Sequence, residues 1–244
     1  MDNKNIIPEN QFYFRHQHDT SEQCHRIVNV VENALERKQY CSAVFLDVEQ
    51  AFDRVRHPGL LFRLKLLLPA PFYLVLKSYL SDCYFYVKIN NSVSDICEIK
   101  ALIPHTSVLG PVLYTIYTSD MPVTVATYAD VTALIANNDC PTEASNVIQN
   151  YLNSIAKYGL KYGIHICVNP NISVQITFAL RKGDCQSIFR KGEQIPNSNC
   201  VKYLGIHLDR RLTWTDQIKS KKEQLNRKTK CMYWLLGKKS ELSL

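Results

Sequence analysis

The sequence predicts an α+β fold, an antiparallel sheet backed by helices. Helical and strand-like periods alternate irregularly along the chain, without the strict succession that a doubly wound parallel sheet requires. Hairpin signals stand among the helices, at Asn90-Asn91 and within VATYAD at 125–130. A content of 46% apolar and 21% charged residues over 244 positions is that of a globular chain able to bury one large core or two small ones.

Residues 1–19 are polar and aromatic without a clear period. Thr20 with Gln23 predicts a capping-box start for a helix carrying Ile27, Val30, Val31, Ala34 and Leu35 on one face. CSAVFLD at 41–47 is a near-continuous apolar run ending in an acid, the pattern of a buried strand that delivers Asp47 to its edge. Pro58 opens a second helix bearing Leu60, Leu61, Leu64, Leu67 and Leu68, and Pro69 and Pro71 stop it before the apolar stretch FYLVLKSYL. Phe85, Val87 and Ile89 then alternate, and Asn90-Asn91 turns the chain into a strand around 96–99. A helix is expected from Ser107 through Leu109, Val112, Leu113 and Ile116, followed by the VATYAD hairpin and a long helix near 142–160. Short strands at 164–168, 173–180 and 200–207 and a basic helix at 215–237 complete the chain, with no repeat, low-complexity tract or long linker. One compact unit with a small C-terminal helical extension is the expectation.

Lys and Arg outnumber Asp and Glu by 29 to 22, and the resulting charge of +7 favours an anionic partner such as nucleic acid without requiring one. The nine cysteines are odd in number, widely spaced and never arranged C-x-x-C, and no signal-like apolar segment opens the chain. A reduced, intracellular protein is expected, nuclear or cytoplasmic, with no membrane association. His16-Gln17-His18 and Cys24-His25 match no common zinc spacing and are set aside as ligands.

Two apolar strands that each end in an acid can bring Asp47 and Asp130 side by side at one sheet edge, although they lie about eighty residues apart. Magnesium prefers carboxylate oxygens together with phosphate and water, and paired ions ~3.5–4 Å apart stabilise both the attacking and the leaving oxygen in phosphoryl transfer. The competing interpretation is that each acid caps a strand or turn at the surface.

Seven ordered stretches carry a further likeness. AVFLDVEQAFDRVRHPGLL (43–61), PHTSVLGPVLY (104–114), YAD (128–130) and VKYLGIHLD (201–209) resemble the three polymerase motifs and the primer grip of the reverse transcriptases of non-LTR retrotransposons, especially jockey-like elements. QFYFR (11–15) resembles a fingers segment of that family, and ITFALRKGDC (176–185) and LTW (212–214) extend the likeness over nearly the whole chain. The resemblance implies a polymerase palm at 41–208, partial fingers at 1–40, and the primer-grip exit and start of a thumb at 209–244. It implies that Asp47 binds Mg2+, or Mn2+ in its place, with the Val48 carbonyl and with Asp130 as the second acid. Phe52 would lie under the nucleotide sugar and exclude a 2′-hydroxyl. His105 and Ser107 would stand at the nucleotide, with the Ser107 helix supporting the template. Tyr203, Leu204 and Gly205 would hold the primer end, Gly205 because a backbone must pass close there, and Arg15 would be a weak fingers contact. The implied partners are an RNA template, a DNA primer and deoxynucleotides. Simpler roles stand beside these: Phe52 as core, Gly205 as a bulge, Asp53 as a helix-capping acid, and KSKKEQLNRKTK (219–230) as a solvated basic face where the likeness would have it track a phosphate backbone.

The chain also departs from the family pattern. Ala-Asp-Asp becomes Ala129-Asp130-Val131, Pro-Gln-Gly-Ser becomes Pro104-His105-Thr106-Ser107, and the lysine expected for the leaving pyrophosphate is Ile172. Losing one charge-stabilising group commonly costs roughly 100- to 1,000-fold in rate. The resemblance therefore implies a truncated, decaying copy with weak or no polymerase activity. The alternatives are a non-catalytic nucleic-acid-binding protein on the same fold, or a palm-like protein-interaction module, which would expose an apolar patch.

Overall fold

A computed structural model describes residues 19–47, 50–104, 107–119, 126–128, 131–162, 173–190 and 192–236, with positions 47, 126–128, 131, 158–162 and 235–236 described in their backbone. Helix α1 spans Thr20–Glu36, and its cap is Asp19, whose carboxylate accepts the Glu22 N–H at 2.8 Å. The capping box expected at Thr20 is thus shifted by one residue. Gln23 turns inward, fully buried, and its amide reaches the Tyr203 hydroxyl at 3.5 Å.

Strand β1 (Tyr40–Asp47) is buried on both faces from Cys41 to Leu46, as its continuous apolar run demands. Helices α2 (His57–Leu67) and α3 (Ala70–Leu80) follow. Pro69 and Pro71 end one helix and begin the next, because a proline in the first turn gives up only an N–H that has no intrahelical partner there. Asp53 lies in the turn before α2, whose N-cap position is held by Arg56.

An antiparallel ribbon comes next: β2 (Tyr84–Phe85) pairs with β5 (Cys97–Glu98), and β3 (Lys88–Ile89) with β4 (Ser92–Val93). It reverses at Asn90-Asn91, with Asn90 in the left-handed region at φ 54°. Helix α4 (Leu109–Tyr117) starts two residues later than Ser107. Strands β6 (Ala126–Tyr128) and β7 (Val131–Asn138) form the expected hairpin, closed by the pair Tyr128↔Val131.

Helix α5 (Pro141–Tyr162) and strand β8 (Val174–Phe178) follow, while the strand expected at 164–168 lies outside the described residues. The small hairpin of β9 (Phe189–Arg190) and β10 (Glu193–Gln194) carries no hairpin signature in its sequence. The single strand expected at 200–207 is instead two, β11 (Cys200–Tyr203) and β12 (Ile206–Asp209), folded back at Leu204-Gly205. Helices α6 (Thr215–Cys231) and α7 (Tyr233–Leu236) end the described chain.

The main sheet runs β6-β7-β1-β8 with every pair antiparallel, in accord with the expected α+β class. Cys41, Ala43 and Phe45 of β1 face α1 and the β11–β12 hairpin in one core. Val44 and Leu46 face α5 in another, together with Ile188 and Ile195. A third core joins α2, α3 and α4 through Val55, Leu60, Leu64, Leu80, Ile103 and Leu113. In β8 the buried Gln175 binds outward with its side chain, giving an N–H to the Gln186 carbonyl at 2.8 Å and accepting the Ile188 N–H at 3.0 Å. Among the described residues no helix is long and apolar enough to cross a membrane.

Candidate active site

The site is framed by the last rung of the central ladder. β1 and β7 pair over eight positions, and the final pair is Asp47↔Val131. Residues directly opposite in an antiparallel pair have Cα atoms ~4.5–5.5 Å apart, so Val131, the chain neighbour of Asp130, is the cross-strand partner of Asp47. Phe45, two residues before Asp47, packs its ring on Tyr203 with centroids 5.0 Å apart. The strand that ends in the acid therefore also carries the anchor of the β11–β12 hairpin.

A turn at 50–54 follows β1 and is stitched to the segment leading into α4. The Ile103 N–H donates to the Phe52 carbonyl at 3.0 Å, the Leu102 N–H to that of Val55 at 3.1 Å, and the His57 N–H to that of Lys100 at 3.2 Å. The Phe52 ring, partly buried, lies 4.9 Å from that of Tyr114 on α4. Ser107 organises the start of α4: its hydroxyl donates to the Pro104 carbonyl at 3.1 Å and accepts the Gly110 N–H at 2.9 Å. A Cβ at Gly110 would stand 2.5 Å from that same Pro104 oxygen, so only glycine lets the chain fold back this closely.

Tyr203 is buried between Phe45 and Gln23, and Leu204 (φ 43°) and Gly205 (φ 88°) make the tight turn of the hairpin, both in the left-handed region. No described atom lies within 4 Å of where a Gly205 Cβ would stand, so within the chain itself the glycine answers to the positive φ of the turn. After β12 the Asp209 carboxylate collects the N–H groups of Arg211 (3.1 Å), Thr213 (3.0 Å) and Trp214 (2.9 Å) and the Thr213 hydroxyl (3.2 Å). Burial pushes this carboxyl up, but the hydrogen bonds outweigh it and hold it below the usual carboxylate range. The His207 N–H donates to Gln217 Oε1 at 3.0 Å, tying α6 to the hairpin.

Of the residues singled out by sequence, Phe52 packs on Tyr114 within α4 while Ser107 binds at the start of that helix, and Tyr203, Leu204 and Gly205 form one hairpin against β1. Asp47 ends β1, while Arg15, Val48, His105, Asp130 and Ile172 lie outside the described residues. Among the described residues no three His, Cys, Asp or Glu side chains cluster as a metal site, and the eight described cysteines are free. Burial, with Cys185 nearby, pushes the Cys41 thiol up to about 12. Four supporting residues were not foreseen from sequence: Phe45, Gly110, Tyr114 and Asp209. The pattern Asp209-x-x-x-Thr213-Trp214 was a usable signal for the last of these, since Asp side chains commonly bind backbone N–H groups a few residues on. The other three act through contacts that no local pattern announces.

Comparison with known proteins agrees with this geometry. The model of the family described as reverse transcriptase (RNA-dependent DNA polymerase) matches residues 1–208. Over 250 residues the chain is 40% identical to the RNA-directed DNA polymerase from mobile element jockey of Drosophila melanogaster, covering 98% of this chain and 27% of that protein. The probable RNA-directed DNA polymerases from transposon BS and transposon X-element of the same fly are 38% and 36% identical, each match covering 100% of this chain and 28% of the relative. The chain thus spans little more than a quarter of the length of these curated relatives. Among solved structures, apo telomerase from Candida tropicalis, truncated from its C-terminal domain, aligns with a TM-score of 0.55 at 15% identity over 84% of this chain and 40% of that one, a likeness of fold alone. With a palm-type antiparallel sheet and a family match over most of its length, the chain belongs to the reverse transcriptase (RNA-dependent DNA polymerase) family.

Proposed function

We propose that this chain forms the palm of an RNA-directed DNA polymerase of the non-LTR retrotransposon kind, engaging an RNA template and a DNA primer, with nucleotidyl transfer reduced to a weak or silent level. The palm would occupy 41–208, after a fingers segment at 1–40 and before a thumb segment at 209–244. The observation that carries this reading is the rung Asp47↔Val131. It sets the neighbour of Asp130 directly across from Asp47, on strands whose residues of the same parity, Phe45 and Ala133, share the core of the primer-grip hairpin.

The donor set suits magnesium or manganese in kind: Asp47, Asp130 and the Val48 carbonyl offer oxygen alone. Bound there, the metal would neutralise charge on the nucleotide phosphates. The set is poor in charge, because valine at 131 supplies no carboxylate on the strand facing Asp47. Phe52 would gate the sugar with the part of its ring that Tyr114 leaves uncovered, and the Ser107-capped helix would support the template. The Tyr203-Leu204-Gly205 turn would hold the primer end.

Primer extension on an RNA template, with magnesium or manganese, tests the reading. Any template-dependent deoxynucleotide addition is expected to vanish in Asp47→Ala. The combined Val131→Asp, His105→Gln and Ile172→Lys variant is expected to gain at least ~100-fold, since each lost group commonly costs that much and the effects do not simply multiply. A folded restored variant that still adds no nucleotide would refute the assignment of these positions. A second reading, nucleic-acid binding without catalysis, is favoured by α6, which buries no residue and presents Lys219, Lys221, Lys222, Arg227, Lys228 and Lys230.

A further inference from the structure

The β2–β5 ribbon is written for burial and left bare. Phe85, Val87 and Ile89 alternate as the apolar side of a half-buried strand should, yet they are 48%, 49% and 68% exposed, and Ile96 on the returning strand is 73% exposed. Every residue from Tyr84 to Glu98 is exposed. The preceding helix shares this condition: Phe72 and Val75 of α3 are 65% and 68% exposed, and α3 runs directly into the ribbon, where the Cys83 thiol donates to the Tyr79 carbonyl. A two-stranded ribbon with water on both faces is marginal by itself, and apolar patches of this extent on soluble proteins mark contact surfaces.

We propose that α3 and the ribbon form a self-complementary interface through which two copies of this chain associate about a two-fold axis. Three observations select a second copy as the occupant. The first is area. At ~200 Å² per whole aromatic side chain and ~100 Å² per aliphatic one, the exposed large apolar groups of α3 and of the two faces of the ribbon together leave roughly 900 Å² bare, enough to supply most of the ~800 Å² each partner buries in a standard interface if the copies wrap the ribbon. The second is charge. Within a chain of net charge +7, the stretch 84–100 is balanced, with Lys88 and Lys100 against Asp95 and Glu98, so it neither attracts a phosphate backbone nor repels its own copy. Lys100 and Glu98 already lie 3.7 Å apart within one chain. The third is the backbone. Among the described residues the ribbon has two strands at any level and pairs with no other strand, so its outer edges are open to an identical edge, and a two-fold contact closes after one partner. This interface is independent of the catalytic reading.

The test is the mass of the full 244-residue chain by sedimentation and light scattering across a concentration series, alongside Phe85→Lys and Ile89→Lys. Both substituted side chains are exposed in the monomer, so folding should survive, and dimer dissociation constants should rise at least tenfold. Leu225→Lys, on exposed α6, should leave them unchanged. Hydrogen exchange on the unsubstituted chain supplies a second measurement, with amides of 84–98 expected to gain protection as concentration rises. A monomer at every concentration, a dimer indifferent to both ribbon variants, or open-ended oligomers in place of a closed pair would each overturn the proposal.

Discussion

Gly110 shows how a single hydrogen atom in place of a methyl group can set the entrance of a site. A glycine inside a helix usually costs ~1 kcal/mol relative to alanine, so Gly110→Ala on helix propensity alone would stabilise the protein. Its Cβ would meet the Pro104 carbonyl oxygen at 2.5 Å, and that oxygen belongs to backbone also held by Ser107. The steric term should win: urea unfolding is expected to show a loss of about 1–3 kcal/mol, the usual range for forced overpacking. A gain would mean that the Pro104 carbonyl yields easily. Residues such as Asp47, Phe52 and Tyr203 could be picked out in the sequence because their motifs are contiguous. Their supports could not, since Gln23 meets Tyr203 across 180 positions and Phe45 meets it across a comparable span.

At the scale of elements, the β11–β12 hairpin and the Asp209 turn behind it make one unit joined to α6. Asp209 has a folded pKa below the ~3.9 of a free aspartate, because its bonds from Arg211, Thr213 and Trp214 favour the carboxylate. A depressed carboxyl contributes stability that is fully present above the unfolded value and fades as pH falls through the folded one. Wild type should therefore lose part of its margin over Asp209→Asn below about pH 4. At neutral pH that variant should be less stable by about 1 kcal/mol, as for loss of a capping carboxylate, and thermal melts across pH would measure both. The strands were legible as apolar runs, but the fold-back at 204–205 was not. Leucine at φ 43° carries no turn signature, and Gly205 alone reads equally as a bulge or a close approach. Likewise Pro69 and Pro71 signal a break, and whether a helix resumes is decided by the third core, where Leu80 packs against α2 and α4.

Over the whole molecule, positive charge gathers on α6, which also exposes Ile218 and Leu225. Helix α6 is basic and unburied, while α3 and the ribbon are apolar and balanced in charge. RNA binding, measured by gel shift over a salt series, should weaken steeply with added salt. Lys221→Ala with Lys222→Ala and Lys228→Ala should flatten the dependence by ~0.7 in log–log slope for each phosphate that is no longer neutralised. A slope unchanged by the triple substitution would remove α6 from the binding surface. The α+β class and the antiparallel sheet were readable from periodicity. The exposed ribbon was not, because the alternation of Phe85, Val87 and Ile89 announces a covered face without saying which molecule covers it. The ladder of β1 with β7 has one further implication. Seven of its eight rungs lie inward of Asp47, locked by cores on both sides, so the frame does not depend on which residues follow the last rung. Substitutions just past the last rung can therefore come and go without disturbing the packing of the strands beneath them.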